Sequence, residues 1–153
     1  MINDPSIAVH ILADGDRLLN VSLKLSDTFS LHILNASPTL ETSLNKWIKT
    51  YLDRKEVPFK RIPDGTPFQQ KVWTSLSLIP LGKTQSYGEL AQNIGHPNAQ
   101  RAVGGACHRN PYPLLIPCHR VIQANKKIGG FGSDLEIKRR LLRFESGGID
   151  STL

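Results

Sequence analysis

Two helix-start signals between residues 66 and 89 constrain the fold of this chain more than any other feature. Thr66-Pro67-Phe68-Gln69 and Ser86-Tyr87-Gly88-Glu89 each place a hydroxyl residue three positions ahead of a Gln or Glu. That spacing is a capping box, in which hydroxyl and long side chain each accept from the other residue's backbone N–H. Pro67 fits the first helical position, where its missing N–H would have had no partner. Phe68, Val72, Leu76 and Ile79 then repeat at helical spacing, and Pro80-Leu81-Gly82 ends that helix. Behind the second box, Leu90, Ala91 and Ile94 lead to Gly95, a left-handed stop. After the break His96-Pro97-Asn98, a third helix runs through Ala99, Ala102, Val103 and Ala106. A helix, a short turn and a second helix of small residues is the layout of a helix-turn-helix. Leu114–Ile116 as a strand and the loop around Gly129-Gly130-Phe131-Gly132 as a wing complete a winged variant. A last helix is expected from Asp134 to about Glu145, closed by Gly147-Gly148.

The first third of the chain reads differently. Ile7–Leu12 and Leu18–Leu23 alternate as strands around Asp14-Gly15-Asp16, a hairpin signal, and Phe29–Leu34 offers a third strand. Ser37-Pro38 opens a helix whose Leu40, Leu44, Trp47, Ile48 and Tyr51 share one face. Charges, Pro58, Pro63 and Asp64-Gly65 interrupt any periodicity over residues 53–66, which reads as a linker. The expected class is therefore α+β. Residues 1–60 form a small antiparallel sheet with one helix, a supporting unit, and residues 61–153 form a winged helix-turn-helix domain.

Charge is unevenly spread. Residues 1–60 carry seven Lys/Arg against seven Asp/Glu, whereas residues 99–153 carry nine against four and hold most of the net +6. Such polarity suggests an anionic partner for the last third, most simply phosphodiester backbone, with an ordinary solvated surface as the bland alternative. No run approaches the roughly 18 apolar residues that cross a membrane. The start, Met1-Ile2-Asn3-Asp4-Pro5, has an acid where a signal peptide carries positive charge. A cytoplasmic location is expected, and with it two reduced thiols, Cys107 and Cys118.

Chemistry concentrates at Pro117-Cys118-His119-Arg120-Val121. A thiolate is the reactive form of cysteine, and nearby positive charge or a base raises its population, so the string reads as a primed nucleophile. Neighbours in an extended segment point to opposite faces, so coupling His119 to the sulfur needs a bridging water or a local turn. Glu145 is one of few late carboxylates that can complete a proton relay. The bland alternative is that Cys118 is a buried small hydrophobe. Cys107-His108 and Cys118-His119 lack the ligand spacing of zinc sites, and the N-terminal half has no cysteine, so no metal is expected. Tyr87 either donates to a leaving atom or packs under its helix, and Asn110 can clamp the loop through Asn110-Pro111-Tyr112-Pro113. Gly104 and Gly105 in one helix cost about 1 kcal/mol each relative to alanine. They suit either tight helix packing or close approach to a groove, with Arg101 filling a vacated base stack or binding phosphate.

From Thr66 to Gly147 these residues resemble the methylated-DNA–protein-cysteine methyltransferases, the 6-O-alkylguanine-DNA alkyltransferases. The likeness rests on Gly65-Thr66-Pro67-Phe68-Gln69, Ser86-Tyr87-Gly88-Glu89-Leu90-Ala91, Arg101-Ala102-Val103-Gly104, Asn110-Pro111 and Pro117-Cys118-His119-Arg120-Val121. The resemblance implies a ribonuclease H-like N-terminal unit and a single-use repair reaction on double-stranded DNA carrying 6-O-alkylguanine, with the 4-oxygen of thymine as a second target. It implies Cys118 as alkyl acceptor, His119 acting through a water, Glu145 completing the relay, Tyr87 donating to the base and Asn110 holding the turn. It further implies DNA contacts from Arg101, Ala102, Gly104, Ser86, Arg109 and Arg120. The base pocket would be walled by Pro113, Val121, Phe131 and Gly132, with the Cys118 and Val121 carbonyls accepting from the guanine amino group. No cofactor is implied, and the protein would act as a monomer, with cooperativity along DNA left open. The string Gly130-Phe131-Gly132-Ser133-Asp134 departs from the family's Gly-Tyr wing. A lesion sensor without transfer and a winged-helix regulator are the rival readings.

Overall fold

The structure is a computed structural model that describes residues 4–125 and 135–148. Strands β1 (Ile7–Gly15) and β2 (Arg17–Leu25) form the expected hairpin, with Gly15 at φ 63° where a side chain would be strained. Strand β3 (Ser30–Ala36) pairs on the other side of β1, giving the order β2-β1-β3. It runs parallel to β1, from Ala8↔Ser30 to Leu12↔Leu34, so the sheet is mixed rather than antiparallel. Strand β2 is itself the return path: it brings the chain back beside Ile7, and the link from Leu25 to Ser30 passes under the start of β1. Two strand spacings amount to about 10 Å, within reach of so short a link.

Helix α1 (Pro38–Leu52) starts at Ser37, whose side chain accepts from Leu40 N, and buries Leu40, Leu44, Ile48 and Tyr51. It packs on β3, while the last helix, α5 (Leu135–Glu145), packs on β2. The outer edge of β2 is covered by the segment after α4: Val21 N donates to Pro111 O at 2.8 Å, and Tyr112 Oη to Leu18 O at 2.9 Å. One continuous apolar core therefore runs from Ile7 through Leu44 and Ile79 to Phe144.

Both capping boxes form, at Thr66 before α2 (Pro67–Leu76) and at Ser86 before α3 (Tyr87–Asn93). Trp73, which the apolar spacing of α2 did not single out, is buried and donates from its indole to Ala106 O at 2.9 Å. That bond ties α2 to α4 (Gln100–His108), which also packs on α3. Gly65 must be glycine, because a Cβ there would lie 2.6 Å from the Trp73 ring.

Leu114–Ile116 is a tight turn, not a strand, with Leu114 at φ 76° and a bridge from Pro113 to Ile116. The apolar run reflects burial inside a loop. The strand follows later: β5 (Val121–Ile122) pairs in parallel with β4 (Gln85–Ser86), placing the start of α3 beside the end of the Cys118 segment. Helix α5 ends as expected on Gly147 and Gly148, both at positive φ. The expected wing, with Phe131 and Gly132, lies outside the described residues. Among the described residues no helix is long and apolar enough to cross a membrane.

Candidate active site

Cys118, His119 and Arg120 form a single 3-10 turn rather than an extended run, set up by Pro117 and closed by Val121 N donating to Cys118 O. In a turn of three residues per revolution neighbouring side chains stand about 120° apart rather than on opposite faces. Asn110 builds the sulfur's surroundings. Both hydrogens of its Nδ2 are used, toward Ile116 O at 2.9 Å and toward Cys118 Sγ at 3.3 Å, while Oδ1 accepts from Tyr112 N at 2.9 Å. One buried amide thus closes the loop that carries the strained Leu114 and points a donor at the thiol.

Burial pushes the Cys118 thiol up, while Asn110, the Lys138 ammonium and the backbone N–H groups of Cys118 and His119 pull it back down. Burial prevails, so the balance at rest favours the thiol over the thiolate. Cys118 keeps 6% of its surface exposed. The positive charge beside it is Lys138, which sequence reading missed. Lys138 is fully buried on α5, donates to Val121 O at 2.6 Å and lies 5.9 Å from the Tyr87 ring centre. Burial lowers its ammonium to about 8, against the raising influence of Cys118 and Cys107. Tyr87 is pushed to about 12 by burial and by the two thiols, so it remains a phenol. Cys107 is driven higher still by burial and Cys118.

His119 Nε2 meets Glu145 Oε2 at 2.5 Å, and Arg120 Nε donates to Oε1 at 2.8 Å. Burial lowers His119 despite the opposing pull of Glu145, leaving a neutral imidazole whose Nε2–H faces the carboxylate. Burial alone would raise Glu145, but His119 and Arg120 hold it at about 2. Arg120 is buried and committed to Glu145, to Ile79 O at 2.6 Å and to Glu56 at 3.8 Å. It is not a surface arginine, and its expected contact with DNA is corrected: an isolated Glu145 charge could not be buried without it.

The remaining predicted residues fall into two groups. Arg101, Ala102 and Arg109 are exposed on or just after α4. Gly104 is half-buried, and a Cβ there would meet Tyr87 at an ordinary 3.9 Å; at Gly105 the nearest atom is the flexible end of Arg109 at 3.5 Å. Packing among the described residues therefore does not require either glycine. Ser86 Oγ serves as the α3 cap. Pro113 is half-buried in the turn and Val121 fully buried. The Cys118 and Val121 carbonyls already accept one bond each, from Val121 N and Lys138 Nζ. Among the described residues no three His, Cys, Asp or Glu side chains group as metal ligands.

The chain is similar to known proteins in sequence and in fold. The chain is 53% identical over 91 residues to the methylated-DNA–protein-cysteine methyltransferase of Methanosarcina acetivorans, covering 60% of this chain and 58% of the relative. It is 53% identical over 89 residues to that of Mycobacterium bovis, covering 58% and 54%. The matched stretch thus spans less than two thirds of these relatives' length. A crystal structure of Mycobacterium tuberculosis OGT in complex with DNA superposes over 94% of this chain and 96% of its own, with a TM-score of 0.67 and 31% identity. Residues 67–147 match the family model for the 6-O-methylguanine DNA methyltransferase, DNA binding domain, and the chain belongs to that family.

Proposed function

We propose that this protein repairs alkylated DNA by moving an alkyl group from the 6-oxygen of guanine onto Cys118. The observation that carries this reading is a buried thiol with one donor aimed at it and a histidine–carboxylate pair joined to it through the next residue. The thiol proton leaves toward neutral His119, by way of a water, as the alkyl carbon approaches. Sulfur supplies the electron pair of the new carbon–sulfur bond, and the carbon–oxygen pair goes to the guanine. Tyr87, still a phenol, donates to the base as that charge develops. Lys138 stabilises the sulfur while it is anionic. A thioether is not hydrolysed in water near neutral pH, so each chain acts once and needs no cofactor. The same displacement applies to the 4-oxygen of thymine.

A base inside duplex DNA cannot reach a buried sulfur, so the target must be rotated out, which is easiest when damage already weakens its pairing. The exposed edge of α4 supports this, offering Arg101 and Arg109 beside Ala102 and the glycines that internal packing leaves unexplained. Binding through phosphates predicts weak sequence preference and strong salt dependence. Mixing the protein with a duplex containing 6-O-methylguanine should add about 14 Da, one methylene, to the peptide carrying Cys118. A lesion sensor or a sequence-reading regulator would bind with no adduct, and that result would end the proposal.

A further inference from the structure

Besides His119 and Arg120, Glu145 holds a partner from the far end of the chain. Tyr51, on the buried face of α1, donates its hydroxyl to Glu145 Oε2 at 2.7 Å. This is the same oxygen that meets His119 Nε2, while Oε1 serves Arg120. The tyrosine ring is fixed by other contacts: it stacks on Trp47 at 5.5 Å and leans on Phe144 at 5.3 Å. The same end of α1 grips α5 a second time, through Arg54 Nε to Phe144 O at 2.7 Å. A phenylalanine would satisfy every packing contact here. Only the hydroxyl requires the carboxylate.

We infer that Tyr51 is a positioning residue for the alkyl transfer, its hydroxyl orienting the Glu145 carboxylate against His119 so that the imidazole stays neutral and able to take the Cys118 proton. The inference rests on the transfer reading above. Two donors on one carboxylate oxygen share its electron density, so removing one makes that oxygen a stronger acceptor for the other. Without Tyr51, Glu145 would hold an imidazolium more tightly, and His119 would protonate at a higher pH. A protonated His119 cannot accept the thiol proton. The other charged groups near the pair are unchanged by losing the hydroxyl: Arg120 and Lys138 disfavour the imidazolium, Arg54 lies at the end of α1, and Glu56 reaches in only through Arg120. Burial keeps the Tyr51 phenol protonated, so it donates throughout the working range. The N-terminal third thereby contributes to the proton relay as well as to support.

The test compares full-length wild type, Tyr51→Phe and a chain carrying 3-fluorotyrosine at position 51. Transfer from a 6-O-methylguanine duplex is timed from about pH 5.5 to about pH 9. The His119 titration is followed separately by NMR on the free protein, with labelled histidine. Tyr51→Phe should move the acid limb of the rate profile and the His119 titration to higher pH. The rate should drop roughly tenfold at the foot of that limb and less than about twofold on the plateau. The fluorinated phenol, a stronger donor, should move both the other way, and it decides the matter by itself if Tyr51→Phe does not fold. An unmoved His119 titration, or a loss of rate uniform across pH, overturns the inference. The NMR readout needs no transfer, so a wild type that forms no adduct overturns the repair reading while the Tyr51 coupling is still tested.

Discussion

Two buried polar clusters lie side by side in this protein and are held in opposite ways. Around the sulfur, Cys118, Cys107, Tyr87 and Lys138 are all displaced by burial toward their uncharged forms. Around Glu145 the charges are kept: carboxylate and guanidinium stand 2.8 Å apart, each with further hydrogen bonds. Cys118, Cys107 and Lys138 are about as buried as Glu145 and Arg120, so burial alone does not decide protonation. The difference lies in partners. A buried charge persists where geometry supplies a matched countercharge, and gives way where it does not. The charged cluster fixes geometry, and the nearly neutral one keeps a thiol and a phenol with protons to move.

The comparison can be broken most completely at the sulfur. Cys118→Ser should abolish the adduct, and Cys107 should not take over, because its thiol is driven higher than that of an ordinary cysteine by burial and its neighbour. Peptide mass mapping after exposure to the damaged duplex checks both statements.

Breaking the charged cluster should be felt in stability. Glu145→Ala strands the Arg120 guanidinium and should cost about 3–5 kcal/mol in urea unfolding. The pH dependence follows in sign. Glu145 sits at about 2 when folded against an ordinary 4.5, so its contribution is complete above about 4.5 and lost as pH falls toward 2. Wild type should lose stability over that window, and Glu145→Gln should flatten the loss.

A smaller effect separates the clusters more sharply. Lys138→Met removes the one ammonium among the described residues that acts on Cys118 and should slow its reaction with iodoacetamide near pH 8 by about tenfold. The Glu145 window should not move. Smallest of all, Thr66→Ala or Ser86→Ala removes one side of a capping box and should cost about 1 kcal/mol each in thermal unfolding.

What could be read in advance follows from how local each signal is. The capping boxes at Thr66 and Ser86, the start of α1 at Ser37 and the glycine stop of α5 are settled within a few residues, and all four form. The direction of β3 is not local, because alternation gives the face of a strand and says nothing of its polarity relative to β1. Leu114–Ile116 shows the same limit: burial makes loop and strand equally apolar. In the site, the sequence supplied Cys118, His119, Glu145 and Asn110, which the fold brings together. Arg120 and Lys138 escaped because charged residues are presumed to face water. A signal existed for Lys138: with Leu141 and Glu145 it repeats at three and then four positions, along the buried stripe of α5. Tyr51 looked like core on helical spacing, which is true of its ring and silent about its hydroxyl.

The central claim is that one buried sulfur accepts one alkyl group and is then spent. Titrating the protein with excess duplex carrying an isotope-labelled methyl on the guanine 6-oxygen tests it directly. Transfer should stop at one methyl per chain, all of it recovered as a thioether at Cys118. Transfer that continues past one equivalent, or label that settles on any other residue, would contradict the account.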